Sequence, residues 1–253
     1  MSQISSNAAR AADILLALGG VGVEGVGLKA LSEQLGQSRS AVHRALAALA
    51  ERGFVEHGPR RGSYRLGPAI HGLAQFRGTV DDKLEIVRPA LYAIVAETGY
   101  ATFLMAEAGL DAVCIEMLSK APIRSLTGGT GGRVPLGIAA GSLAILASLP
   151  PESRAAVIRT NAERYETYPA LRPFSAEVVS GMVEETLREG YSTDFGCFFP
   201  SEGGIGVAIP SRGKGRSGLS VAVTVHGEIS APDTLARLAE RVSGIFAEMN
   251  IRV

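Results

Sequence analysis

Within its first 66 residues the chain sets three helical stripes ahead of a strand pair, an order that few folds accommodate. Residues 8–18 carry Ala11, Ile14, Leu15 and Leu18 at helical spacing, and Gly19-Gly20 stops the run. Leu28, Leu31 and Leu35 mark one face of a second short helix closed by Gly36. Ser38 stands as the N-cap of a third helix, in which Val42, Ala45, Leu46 and Leu49 form the buried face before Gly53. Residues 54–57 and 63–66 are strand-like and flank Gly58-Pro59-Arg60-Arg61-Gly62, so they read as a hairpin. Three helices followed by a hairpin predict a winged helix-turn-helix.

The third helix carries the chemistry. With Val42, Leu46 and Leu49 turned inward, helical geometry places Arg39, Ser40, His43 and Arg44 on or beside the opposite face. These types donate hydrogen bonds to phosphates and base edges, and such contacts cluster near the start of a recognition helix. Ser38 stands at that start, and Arg60 and Arg61 at the hairpin tip would reach the neighbouring backbone or minor groove. A solvated helix and a surface turn would explain any one of these arginines. The ordered set points to double-stranded DNA. Net charge is zero, yet residues 1–77 hold 9 Lys+Arg against 5 Asp+Glu, leaving the remainder acidic. A basic front and an acidic rear fit one module that meets phosphates and one that does not.

From Pro68 the chain reads as helical through Ile70, Leu73 and Phe76, then through Leu84, Val87, Leu91, Ile94 and Val95. Pro89 implies either a kink or a helix start. Beyond residue 100, strand-like stretches at 101–106 and 112–118 surround a turn at 109–111, and those at 204–210 and 219–225 surround another at 213–218. Helices are expected at 138–149, 152–165 and 175–189, and a last one after the capping-box-like Ser230-Ala231-Pro232-Asp233. Hairpin-linked strands with helices around them predict an α+β domain with an antiparallel sheet. The expected organisation is a DNA-binding domain over 1–67, a helical linker and pairing segment over 68–98, and a sensor domain over 99–253.

Other classes find little support. No apolar run reaches the ~18 residues of a membrane span, and the N-terminus lacks the features of a secretory leader. The expected compartment is the cytoplasm. Cys114 and Cys197 cannot build a disulfide framework, and the four histidines lack ligand spacing, so no metal and no cofactor is expected. Gly128–Gly132 is not a P-loop, because no Gly-Lys-Ser/Thr follows.

The runs AARAADILLALG, LKALSEQLGQSRSAVHRALAALAERGFVE and GSYRLGPAIHGLA resemble the isocitrate lyase regulator (IclR) family of transcription factors. The likeness continues through IRSLTGGTGGRVPLGIAAGSLAILASLP, LREGYSTDFG and LSVAVTVHGEIS. It implies a C-terminal domain with a GAF/profilin-like sheet, dimers or tetramers on operator DNA, and control by a small effector, often an organic or aromatic acid. Matching the family's effector pocket are Ile123, Leu126, Ala140, Gly141, Asp194, Glu202, Gly204, Thr224 and His226. Ala140-Gly141 would offer free N–H groups at a helix start, suited to a carboxylate, and Cys197 would line the rim. Where the family commonly shows Pro-Leu-His and then a lysine, this chain has Pro135-Leu136-Gly137 and Ser142-Leu143, which removes a polar group and a cation.

A rival reading is enzymatic. Ala140-Gly141-Ser142-Leu143-Ala144 faintly resembles a nucleophile elbow, and Ser142, Asp194 and His226 follow the chain order of α/β-hydrolases. Alanines stand where that motif needs glycines, no strand leads straight into Ser142, and the domain is short for a parallel sheet.

Overall fold

The computed structural model describes residues 6–75, 78–122, 125–200, 202–213, 215–226 and 232–253. They divide into two units, Met1–Gly78 and Thr79–Val253. The first contains α1 (Ser6–Gly19), β1 (Val26–Gly27), α2 (Leu28–Gln34), α3 (Arg39–Glu51), β2 (Val55–His57), β3 (Ser63–Leu66) and α4 (Pro68–Ala74). The helical stripes meet as the spacing predicts: Ile14 and Leu18 of α1, Leu31 of α2, and Val42 and Leu46 of α3 are buried with Val55 and Tyr64 of the hairpin. The strands form one antiparallel sheet in the order β1-β3-β2, with Val55 opposite Leu66 and His57 opposite Tyr64.

The second unit contains α5 (Thr79–Thr98), β4 (Thr102–Ala108), β5 (Asp111–Leu118), β6 (Arg133–Pro135) and α6 (Ala140–Ala147). It continues with α7 (Pro151–Glu166), α8 (Ala176–Glu189), β7 (Ser192–Thr193), β8 (Glu202–Ala208), β9 (Leu219–His226) and α9 (Pro232–Glu248). Its six strands pair antiparallel throughout, in the order β6-β5-β4-β9-β8-β7. The whole chain is thus an α+β protein. Pro89 lies inside α5, which begins ten residues before it, so it neither starts nor ends that helix. The capping-box residues Ser230 and Ala231, and Phe76, lie outside the described residues.

Both faces of the large sheet are covered. Leu104 and Ala106 of β4 pack with Val221, Val223 and Val225 of β9 against Val87, Leu91 and Ile94 of α5 and Val242, Ile245 and Phe246 of α9. Their strand neighbours Phe103 and Met105 point the other way, into a core with Leu143 and Leu146 of α6, Tyr165 of α7, and Val179 and Val183 of α8. A sheet buried on two sides needs apolar residues at successive positions, which is why β4 reads Thr-Phe-Leu-Met-Ala rather than alternating with polar types.

Helix α6 is apolar on all sides and every one of its residues is buried. It comes so near the sheet that serines satisfy its first carbonyls: Ser192 Oγ donates to Ala140 at 2.6 Å, and Ser220 Oγ to Gly141 at 2.7 Å. Glycine is required at Gly206 of β8, because a Cβ there would run into the Ala140 carbonyl and the Ser192 hydroxyl. This close approach sets the start of α6 over the sheet and leaves open space beside it.

Candidate functional site

In the first unit the sequence-predicted polar set forms one surface. The side chain of Ser38 caps α3, its Oγ accepting from the Ala41 N–H at 3.4 Å. Arg39, Ser40, His43 and Arg44 are all exposed on the face opposite Val42 and Leu46. Arg60 and Arg61 are exposed in the turn of the β2–β3 hairpin. Arg60 is held by Glu24 at 2.9 Å, an exposed pair of the kind that contributes little and exchanges readily for a phosphate. Arg39, Arg44 and Arg61 have no ion-pair partner among the described residues. Helix α3 therefore offers a cationic, hydrogen-bonding face on a rigid buried base.

In the second unit, a cavity lies between the start of α6, the face of β4, β9 and β8, and the loops after β5 and β7. Together with the open space at its mouth it spans about 620 Å³. Of the residues matched by resemblance, Leu126, Ala140, Gly141, Asp194, Glu202, Gly204 and Thr224 all line it. Ile123 lies outside the described residues, as does the side chain of His226, whose backbone pairs with Glu202 at the end of β9. The aromatic and thioether walls were not among the predicted residues: Phe103 and Met105 of β4 and Phe198 and Phe199 of the loop. The signal for the first two was the two-residue spacing in β4, which places both on one face. Phe198 is buttressed from behind by Phe174, stacked at 5.5 Å, and by Tyr168, edge-on at 5.9 Å. Cys197, expected at the rim, is not a lining residue; its two following phenylalanines are.

Asp194 joins the parts of this cavity. It is 6% exposed, and its two carboxylate oxygens accept from different elements, Oδ2 from the Ala140 N–H at 2.8 Å and Oδ1 from the Gly204 N–H at 2.5 Å. Burial pushes its carboxyl up to about 6, against the lowering effect of those amides. The expectation of a free N–H at the start of α6 is corrected here for Ala140: an internal carboxylate already occupies it. The preceding Ala139 N–H donates to Ser142 Oγ at 3.0 Å, so it too is satisfied.

The enzymatic alternative does not assemble. Ser142 is fully buried, its hydroxyl bonds back to Ala139 at 3.0 and 2.9 Å, and it does not line the cavity that Asp194 faces. Burial drives the Cys114 and Cys197 thiols up to about 11, so neither supplies a thiolate nucleophile near neutral pH. Among the described residues no cluster of histidine, cysteine, aspartate or glutamate could hold a metal ion, and no helix is long and apolar enough to cross a membrane. Gly128–Gly132 forms part of the connection between β5 and β6, where the Gly131 N–H donates to the Cys114 carbonyl at 2.7 Å. The departure at Gly137 also has a local cause. Its φ of +103° favours glycine, and a Cβ would press on Val179, Leu146 and the Tyr165 hydroxyl. That hydroxyl donates to the Leu136 carbonyl at 2.6 Å and holds the turn that feeds α6.

Residues 8–59 match the family described as the IclR helix-turn-helix domain. Over 150 residues, 59% of this chain, the sequence is 32% identical to the HTH-type transcriptional regulator TtgV of Pseudomonas putida. Over 165 residues, 65% of this chain, it is 25% identical to the HTH-type transcriptional regulator XynR of Escherichia coli. These matches span 57% and 64% of the relatives' own lengths. The fold is similar to that of an IclR transcriptional regulator from Alicyclobacillus acidocaldarius, with a TM-score of 0.73 at 18% identity over 98% of both chains. It is also similar to an IclR homologue from Microbacterium hydrocarbonoxydans complexed with 4-hydroxybenzoate, with a TM-score of 0.69 at 20% identity, covering 97% of this chain and 99% of that one. The first unit thus matches an IclR-type helix-turn-helix, and the chain has the fold of IclR proteins along nearly all its length.

Proposed function

We propose that this chain is a sequence-specific DNA-binding transcription regulator whose hold on its operator is controlled by a small organic molecule bound in the second unit. The observation that carries the reading is the exposed Arg39, Ser40, His43 and Arg44 face of α3 within an IclR-type helix-turn-helix. In this reading residues 1–67 grip double-stranded DNA, with Ser38, Arg60 and Arg61 on backbone phosphates, and residues 99–253 hold the effector. Residues 68–98 connect them. A compartment that holds DNA, the cytoplasm, follows from that role.

The ligand half of the reading rests on the cavity and its walls. Three phenylalanines and a methionine beside Asp194 and Thr224 make an apolar slot with a few polar groups, the usual composition of a small-molecule site. A protein of the same fold has been obtained with 4-hydroxybenzoate, a single-ring aromatic acid, which supports a ligand of about that size here. A lone winged helix makes few base contacts, so tight operator binding calls for paired copies on a roughly palindromic site. The protein is accordingly proposed to act as a dimer or tetramer.

Selection of bound sequences from random duplex DNA, followed by mobility shifts with and without a panel of small aromatic compounds, tests the reading. A palindromic motif is expected to emerge, and at least one compound is expected to change the affinity for it. Failure to enrich any motif would overturn the DNA assignment.

A further inference from the structure

The carboxylate of Asp194 lines the cavity, and among its described lining residues there is no lysine or arginine. At the positive end of α6, where a ligand carboxylate would gain most, the first N–H of the helix is already taken from within. Asp194 Oδ2 takes the Ala140 N–H at 2.8 Å, while Oδ1 takes the Gly204 N–H at 2.5 Å, which ties that carboxylate to β8 as well. A second carboxylate brought to this end would stand beside a buried like charge, where water screens poorly.

The same atoms are well placed for a different ligand. An ionised carboxylate has more lone-pair directions than the two amides use, and it accepts hydrogen bonds only. The Thr224 hydroxyl, on β9 opposite Gly204, adds a group able to donate or accept. Phe103, Phe198 and Phe199 supply flat apolar walls. Taking the cavity as the ligand site proposed above, we infer that it selects an uncharged aromatic molecule bearing a hydrogen-bond donor, such as a phenol or aryl amide. Asp194 receives that donor and turns away carboxylates of the same shape.

Titration calorimetry on the full chain at pH 7.5, with matched pairs differing mainly in charge, decides the matter. Suitable pairs are benzamide with benzoate, 4-hydroxybenzamide with 4-hydroxybenzoate, and 1-naphthamide with 1-naphthoate. The neutral member is expected to bind at least tenfold more tightly than its acid, and Asp194→Asn is expected to narrow that ratio. The ratio is read on the unaltered chain, so it stands as a test even where the variant fails to fold. A carboxylate that binds as tightly as its amide, or more tightly, overturns the inference and leaves the ligand site in place. Absence of binding by every member of the panel overturns the ligand site itself, and the inference falls with it.

Discussion

Asp194 shows how one buried group can shape both a site and the stability of the fold around it. Burial raises its carboxyl from the ordinary aspartate range to about 6, because two amide donors do not fully replace the lost water. Since the folded value lies above the unfolded one, the fold favours the protonated form. The stability it contributes is present below about pH 4 and is lost as pH rises through 6. At 1.36 kcal/mol per unit, the change amounts to about 3 kcal/mol. Urea unfolding of the second unit at pH 4 and pH 7 should show Asp194→Asn gaining on the wild type by roughly that amount across the interval. The variant also swaps an acceptor for an amide NH2 facing a backbone N–H, which lowers its stability at both pH values alike. A constant gap between the two proteins would mean that Asp194 titrates as a solvated carboxylate.

The two helices on which the proposed function rests are built on opposite plans. Helix α3 is amphipathic: Val42 and Leu46 anchor it while its polar face is free for a partner. Truncating that face should therefore leave the fold intact. Arg39→Ala or Arg44→Ala is expected to weaken binding to the selected operator by about 1–3 kcal/mol where the residue reads a guanine. Where it meets a phosphate, binding falls on every sequence and the salt slope shrinks by about one unit. Mobility shifts at two salt concentrations separate these cases, and unaltered binding in both variants would remove α3 from the interface. Helix α6 is buried on every side, and its contribution is positional. Its first turn, held by Ser192, Ser220 and Asp194, defines one wall of the cavity.

For the molecule as a whole, the two units have separate cores, and the two proposed sites lie in different units. A conservative change in one site should leave the intrinsic affinity of the other nearly unchanged, while altering the response that links them. Thr224→Val keeps the side chain's shape and deletes its hydroxyl. A neutral hydrogen bond of the usual strength predicts a roughly three- to tenfold loss of ligand affinity by calorimetry. Operator affinity without ligand should stay within a few-fold in mobility shifts. Collapse of DNA binding in this variant, with native circular dichroism, would contradict the separation of roles.

The first unit was legible residue by residue, because its elements are short, amphipathic and joined by turns whose residues reveal them. Ile14, Leu18, Leu31, Val42 and Leu46 announce their burial by spacing alone, and Ser38 announces its cap. In the second unit the longer strands and helices were readable in order, and so was the likeness that singled out Asp194 and Thr224, whereas the edge strands β6 and β7, three and two residues long, are too short to carry a pattern and were missed. Local pattern could not say what those residues touch. Asp194 meets Ala140 and Gly204 across 54 and 10 positions of chain, and only the folded sheet brings the three together. The N–H of Ala140 looks available at the start of a helix when that helix is considered alone. Tertiary packing lays β8 beside it, delivers a carboxylate to it, and so decides which charge the cavity can accept. Phe103 and Phe198 meet across the same space for the same reason: hydrogen bonds within elements are set by near neighbours in sequence, whereas a cavity belongs to surfaces that meet only when distant segments pack.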